Sequence, residues 1–230
     1  MEKTDNARPK LTTLFQIGSI TVLLLFYMAL AGCASMQKSS QEAIRLKESR
    51  MAPLPESQWN EEQRKLLTPL KRDGHVPNVF TTIARNQKLF ERHGKFGFYV
   101  LFEQTLPARD REILILRIGW LCQSEYEFGQ HTILGKMAKL TDEEILNITR
   151  GPNASGWNTV EAALINAVDE LYYNAIISDS TWKVLASKYN EQQLLDLIFT
   201  VGQYNLVSWA LNSLGVPLDK GIPGFPVASK

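Results

Sequence analysis

The sequence contains few cysteines and no excess of charge. Its 230 residues include two cysteines, Cys33 and Cys122, and neither lies in a CxxC pair. A disulfide framework is therefore not expected, because such a fold depends on several paired thiols. Lysine and arginine total 25 against 24 for aspartate and glutamate, and the basic residues form no run. This balance provides no electrostatic surface for nucleic acid, so we expect no nucleic-acid partner.

The strict polar and apolar alternation of a half-buried strand is also missing, as is any internal repeat of about 30–50 residues. Helical periodicity and capping residues are present instead in nearly every segment after Pro55. The residues that we predict to cap helices include Ser57, Asn86, Thr141, Ser178 and Asn190. We predict an all-α helical bundle. Its central helix should start at Pro107, because the apolar residues that follow cover nearly every side of a helix: Ile113, Leu114, Leu116, Ile118 and Trp120.

The N-terminal segment has the layout of a bacterial export signal. Three basic residues precede an almost uncharged apolar stretch that runs to Leu30. The tetrapeptide Leu-Ala-Gly-Cys that ends at Cys33 is similar to a lipobox, in which the thiol is acylated and its cysteine becomes the new N-terminus. We predict a lipoprotein signal peptide over residues 1–32 and lipidation of Cys33. An uncut transmembrane anchor is the alternative, since about 20 apolar residues span a bilayer.

Both interpretations place the rest of the chain outside the cytoplasm. The polar residues 33–50 predict a lipidated cysteine followed by a flexible tether, and two prolines then mark the start of a domain over residues 51–230. Residues 1–32 carry three basic and two acidic side chains, which leaves 22 of each sign. We expect a neutral domain in the cell envelope, lipid-anchored to a bacterial membrane and facing the periplasm or the exterior.

A candidate proton-transfer group lies in the middle of the chain. Glu127 and His131 are spaced i, i+4 on a predicted helix, so their side chains share one face. A carboxylate beside an imidazole raises the pKa of the imidazole and provides an acid or base near neutral pH. Glu112 lies in the apolar central helix and needs a polar partner such as His131 if it is buried. Taken alone, a pair of this kind is more often a surface ion pair.

Several sequence blocks resemble the carboxymuconolactone decarboxylase family, which includes the alkylhydroperoxidase D-like proteins. The blocks lie within about residues 54–218 and comprise Leu106–Arg117, Ser124–His131, Ala167–Leu171, Ser178–Trp182 and Val201–Gly215. The resemblance implies an all-α fold, a homo-oligomer (trimer or hexamer) and active sites near subunit contacts. It also implies that Glu112, Glu127 and His131 form the catalytic group.

The resemblance favours the decarboxylase branch. The peroxidase branch carries Cys-x-x-Cys where this chain has Ser124 and Glu127. The activity expected is that of a lyase without metal or organic cofactor, in which His131 transfers a proton to a small carboxylated or lactone substrate. Two alternatives stay open: an alkylhydroperoxidase-like antioxidant activity, and a non-catalytic binding lipoprotein that keeps the fold. The weaker substrate-binding candidates are Arg109, Arg117, Ser124, Tyr126 and Tyr204.

Two further features have simpler interpretations. Cys122 stands alone among apolar residues, so we interpret it as a small buried hydrophobe rather than a catalytic thiol. His75, His93 and His131 lack the spacing of metal ligands, and we predict no metal site.

Overall fold

The computed structural model describes residues 46–226. The predicted signal peptide over residues 1–32 and the lipidation site Cys33 lie outside this part of the chain. The predicted all-α class is confirmed, since residues 46–226 contain helices and no β-strand. At the end of the predicted tether, the backbone N–H of Arg50 donates to the carbonyl of Leu214 at 2.9 Å.

Nine α-helices follow one another along the described residues. They are α1 (Glu61–Leu67), α2 (Asn78–Ile83), α3 (Gln87–Phe98), α4 (Ala108–Leu121), α5 (Glu125–Met137), α6 (Asp142–Arg150), α7 (Thr159–Asn174), α8 (Asp179–Ala186) and α9 (Glu191–Leu214). Short 3₁₀ turns flank α1, and a π-helical turn at Tyr99–Glu103 ends α3.

Side-chain caps fix where these helices begin. The caps predicted at Asn86, Thr141, Ser178 and Asn190 are all observed. The first helix differs from expectation, because Asn60 rather than Ser57 is its cap. Asn60 Oδ1 accepts from the Gln63 N–H at 2.8 Å, and Gln63 Oε1 accepts from the Asn60 N–H at 3.0 Å. This reciprocal pair satisfies two N–H groups, whereas Ser57 lies in a 3₁₀ turn.

Helix α4 is central, as its all-round apolar pattern predicted. It packs against α5, α7 and α9. Residues Ile113 to Leu116 and Ile118 have no exposed surface. Because helices surround it, a charged side chain in the middle of α4 must find its partner inside the protein. Glu112 is in that position, and its surroundings are described below.

The C-terminal segment after α9 passes over α5. Asp219 is buried and accepts hydrogen bonds from the Tyr126 hydroxyl at 2.5 Å and the Gln130 amide at 2.8 Å. The segment lies so close to α5 that a Cβ on Gly129 would be 2.2 Å from the carbonyl oxygen of Pro223. Only glycine therefore fits at this crossing, and the segment fixes the position of α5.

Helix α9 has a buried side and an apolar exposed side. Its length and composition would allow it to cross a membrane, but 56% of its most apolar window is buried in the fold, as in the core helix of a soluble protein. Leu195, Phe199, Leu206 and Trp209 are each at least half exposed. Their 4-3-4-3 spacing, with Gly202 between them, is that of a helix-pairing seam. Such a stripe fits the expected homo-oligomer, which stays a prediction for light scattering to test.

Candidate active site

The structure brings Glu112, Glu127 and His131 together. Glu112 comes from α4 and the other two from consecutive turns of α5. His131 Nδ1 is 2.6 Å from Glu112 Oε2, and His131 Nε2 is 3.0 Å from Glu127 Oε1. The residues are 0%, 5% and 4% exposed in sequence order. Both ring nitrogens of His131 are therefore committed to carboxylates.

The two carboxylates determine the charge of His131. Burial of the ring acts to lower its pKa, but Glu112 and Glu127 outweigh burial and raise the pKa of His131 to about 9. At neutral pH the ring is an imidazolium that donates from both nitrogens. It forms the middle of a chain of three groups through which a proton can move from one carboxylate to the other.

Arg111 completes the charge balance of this group. Its Nη2 and Nε are each 3.1 Å from Glu112 Oε1, and its side chain is 15% exposed. Two cations thus face two carboxylates, so burial of Glu112 leaves no net charge uncompensated. The contact of Arg111 with Glu112 was not predictable from the sequence, because helix neighbours one residue apart do not usually face each other.

Tyr204 packs against the imidazole from α9. The ring centroids of His131 and Tyr204 are 4.7 Å apart with an interplanar angle of 78°, an edge-on contact. Burial first, and then the nearby Glu127 and Glu112, raises the pKa of Tyr204 well above its usual value. The phenol is therefore neutral at physiological pH, and it holds the imidazole in place.

A cavity of about 1050 Å³ opens in front of this group. Glu127, His131 and Tyr204 lie in its wall, whereas Glu112 is not among the lining residues and lies behind His131. Most of the remaining wall is apolar, and its residues from α2, α3 and the π-helical turn include Phe80, Ile83, Phe90, Phe98, Leu101 and Phe102. Of the two carboxylates that contact His131, Glu127 is therefore the one that faces the cavity.

The two candidate arginines lie elsewhere. Arg117 is buried and forms a two-point ion pair with Asp169, with Nε–Oδ1 at 2.6 Å and Nη2–Oδ2 at 2.8 Å. Arg109 pairs with Glu144 and Glu161. Neither arginine lines the cavity, and both join helices through their ion pairs. The lysine and arginine side chains found in the cavity wall of the described residues are Lys71, Arg72 and Lys95.

Of the two remaining candidates, Tyr126 lies in the cavity wall and Ser124 lies in the protein interior. Tyr126 lines the cavity, but its hydroxyl is occupied by Asp219 and by the backbone N–H of Val79 at 3.1 Å. Ser124 precedes α5, is fully buried and does not line the cavity. Among residues 46–226, no group of three or more His, Cys, Asp or Glu side chains is placed to hold a metal ion.

Cys122 lies outside the cavity wall. Its Sγ is 3.0 Å from Asn205 Oδ1, to which the thiol donates. Burial raises the pKa of the Cys122 thiol to about 12. The thiol therefore stays protonated at neutral pH and is a poor nucleophile.

Comparison with known proteins gives one partial family match and several structures of similar fold. Residues 87–170 match the model of the carboxymuconolactone decarboxylase family. No curated protein matches the chain in sequence. Among solved structures, an uncharacterized peroxidase-related protein from Ralstonia eutropha JMP134, an alkylhydroperoxidase AhpD core, is 13% identical with a TM-score of 0.65, over 74% of this chain and 93% of that one. An uncharacterized peroxidase-related protein from Silicibacter sp. TM1040 is 14% identical with a TM-score of 0.64, over 81% of this chain and 97% of that one.

A third similar structure carries a ligand. It is an alanine variant of the debrominase Bmp8 in complex with 2,3,4-tribromopyrrole, 13% identical with a TM-score of 0.59, over 76% of this chain and 94% of that one. At such low identity these likenesses show a shared fold, which is that of the AhpD-like proteins.

Proposed function

We propose that this chain, whose residues 87–170 are a carboxymuconolactone decarboxylase family segment, is an enzyme that transfers a proton to or from a substrate in the cavity. The observation that supports the proposal is the buried sequence of contacts from Glu112 through His131 to Glu127, which ends at the cavity wall. Such a group supplies general acid or base catalysis without a thiol.

The geometry supports Glu127 as the residue that touches the substrate. Both nitrogens of His131 are taken by carboxylates, so the imidazolium has no N–H left for a ligand. Transfer of the Nε2 proton to Glu127 leaves a neutral imidazole and a carboxylic acid that can donate into the cavity. Glu112 then accepts from Nδ1 and holds the ring in the required orientation. We infer that Glu112 and His131 are positioning and relay residues.

The reaction class that fits best is a lyase without a cofactor. When the bond between a substrate carbon and its carboxyl group breaks, carbon dioxide leaves and the electron pair stays on the carbon. Protonation of that carbanion or enolate by Glu127 completes the reaction, and one proton taken up from solvent returns His131 to the imidazolium. A carboxylated substrate would find cations at Lys71, Arg72 and Lys95 in the cavity wall.

Aromatic substrates are a second candidate class. One similar structure binds a brominated pyrrole, and the apolar wall of this cavity would accept a ring of that kind. Thiol-based peroxidase chemistry has less support, because the Cys122 thiol is outside the cavity wall and its pKa is about 12.

The activity test compares one acid with one thiol. Glu127→Gln keeps the shape of the side chain but removes the acid, so turnover of carboxylated lactones should fall on the order of 10²–10⁴-fold. Carbon dioxide release measures this reaction. Cys122→Ser is the control and should keep most of the activity. A Glu127→Gln protein with full turnover, or peroxide reduction that disappears with Cys122→Ser, would contradict the assignment.

We also propose that the domain is held at a bacterial membrane through lipidated Cys33. The support is the lipobox-like tetrapeptide that ends at Cys33 after an apolar stretch. Cys33→Ala should abolish incorporation of labelled lipid and stop normal processing in cells. A Cys33→Ala protein that is still processed and labelled would exclude lipidation at this residue.

A further inference from the structure

The cavity contains a second polar point that the proton-transfer group does not use. Gln203 on α9 lines the cavity and is 5% exposed. Its Oε1 is buried and has no hydrogen-bond partner within residues 46–226. An unpaired buried amide oxygen is costly, so its presence in a ligand cavity indicates that a ligand supplies the missing donor.

His93 from α3 fixes the orientation of the amide. Gln203 Nε2 is 2.9 Å from His93 Nε2. Burial is the largest influence on the His93 ring and lowers its pKa. The ring is therefore neutral at physiological pH, and its Nε2 accepts from the amide. With the N–H side held by His93, the carbonyl side of Gln203 is the one left for a ligand.

The fold leaves room for this arrangement. Gly97 on α3 faces the amide, and a Cβ at that position would lie 3.4 Å from Gln203 Nε2. The next residue of α9, Tyr204, packs on His131. Consecutive residues of one helix thus connect the cavity wall to the proton-transfer group. The backbone of α9 therefore holds Gln203 in a fixed position relative to His131.

We propose that Gln203, positioned by His93, selects ligands that are mostly apolar and carry one neutral O–H or N–H donor. A carbonyl oxygen only accepts hydrogen bonds, so it pairs with a phenol, an alcohol or a pyrrole-type N–H and disfavours a carboxylate at the same point. The surrounding wall of phenylalanine, leucine and isoleucine side chains favours an aromatic or aliphatic body. The proposal deepens the proposed function, because it concerns the substrate of the same cavity.

The test uses 2-naphthol and naphthalene, which differ by one hydroxyl group. Calorimetric titration of the wild-type protein should show about ten-fold tighter binding of 2-naphthol, as one hydrogen bond to an otherwise unpaired buried acceptor provides. Gln203→Met keeps the length of the side chain and removes the amide. It should reduce the preference to about two-fold or less, through weaker binding of 2-naphthol and not of naphthalene.

Two controls separate this proposal from the proposed catalysis. Gln130→Met changes the other glutamine of the cavity, whose amide is bound to Asp219, and should keep the preference for 2-naphthol. Glu127→Gln should also keep it, even if its turnover is lost. Equal binding of both probes by the wild-type protein, no binding of either, or an unchanged preference in Gln203→Met would overturn the proposal. Because equal binding of both probes by the wild-type protein already overturns the proposal, the test remains decisive against it even if Gln203→Met does not fold.

Discussion

Replacing His131 with leucine is expected to lower the free energy of unfolding by about 3–5 kcal/mol at neutral pH. The substitution removes the imidazolium between Glu112 and Glu127, which are 0% and 5% exposed. Arg111 still compensates Glu112, but Glu127 loses the cation that it contacts at 3.0 Å. The remaining carboxylates are then buried close together without a charge between them. Urea denaturation followed by circular dichroism measures the difference.

The pH dependence provides a separate check on the same ring. The pKa of His131 is about 9 in the folded protein against 6.5 for an ordinary histidine. Its protonation therefore contributes stability that is fully present below pH 6.5 and is lost as the pH rises through about 9. The His131→Leu protein should lack this decline. His75→Leu is the matched control, because His75 is exposed and its replacement should change stability by less than about 0.5 kcal/mol. A wild-type protein whose stability does not fall between these pH values would contradict the assigned charge.

Replacing Arg117 with methionine should also lower the free energy of unfolding by about 3–5 kcal/mol, because it breaks a buried, two-point ion pair. Arg117 is 7% exposed. Besides Asp169, it donates from Nη1 to the carbonyl oxygens of Ile148 at 2.8 Å and Thr149 at 3.1 Å. Its removal leaves a carboxylate and the carbonyl groups at the end of α6 without their donor.

Arg109→Met is the natural comparison for that variant. Arg109 lies on the same helix and pairs with two glutamates, but its side chain is 29% exposed. Solvent screens part of its charge, so Arg109→Met should lower the free energy of unfolding by about 1 kcal/mol. Thermal and urea unfolding of both proteins test whether Arg117→Met loses more stability than Arg109→Met. If Arg117 bound substrate instead, Arg117→Met would raise KM and leave stability nearly unchanged.

Features set by neighbouring residues were predictable from the sequence. The helix caps depend on residues three positions apart, and the contact between Glu127 and His131 depends on the i, i+4 spacing. The all-round apolar pattern of α4 correctly predicted its central position. The convergence of Glu112 with the pair on α5 required more, namely the resemblance to a family that places these positions together.

Features that depend on distant residues were not predictable. Arg117 and Asp169 are 52 positions apart, and His93 and Gln203 are 110 apart. Periodicity shows which face of a helix is apolar, but it does not show which face of another helix that apolar face contacts. The sequence therefore left Arg109 and Arg117 as weak substrate-binding candidates and did not reveal their acidic partners on α6 and α7. Gln203 has no local signal, since an internal glutamine of a long helix has no special spacing.

The crossing of the C-terminal segment over Gly129 also affects the order in which the protein can be completed. Synthesis proceeds from the N-terminus, so α4 and α5 emerge from the ribosome well before Asp219 and Pro223. Until those residues are made, the Tyr126 hydroxyl lacks its acceptor and α5 lacks its cover. The newborn chain thus carries all three proton-transfer residues before it has the segment that fixes two of them in place. The arrangement of Glu127 and His131 on α5 is therefore completed only after Asp219 and Pro223 have been translated.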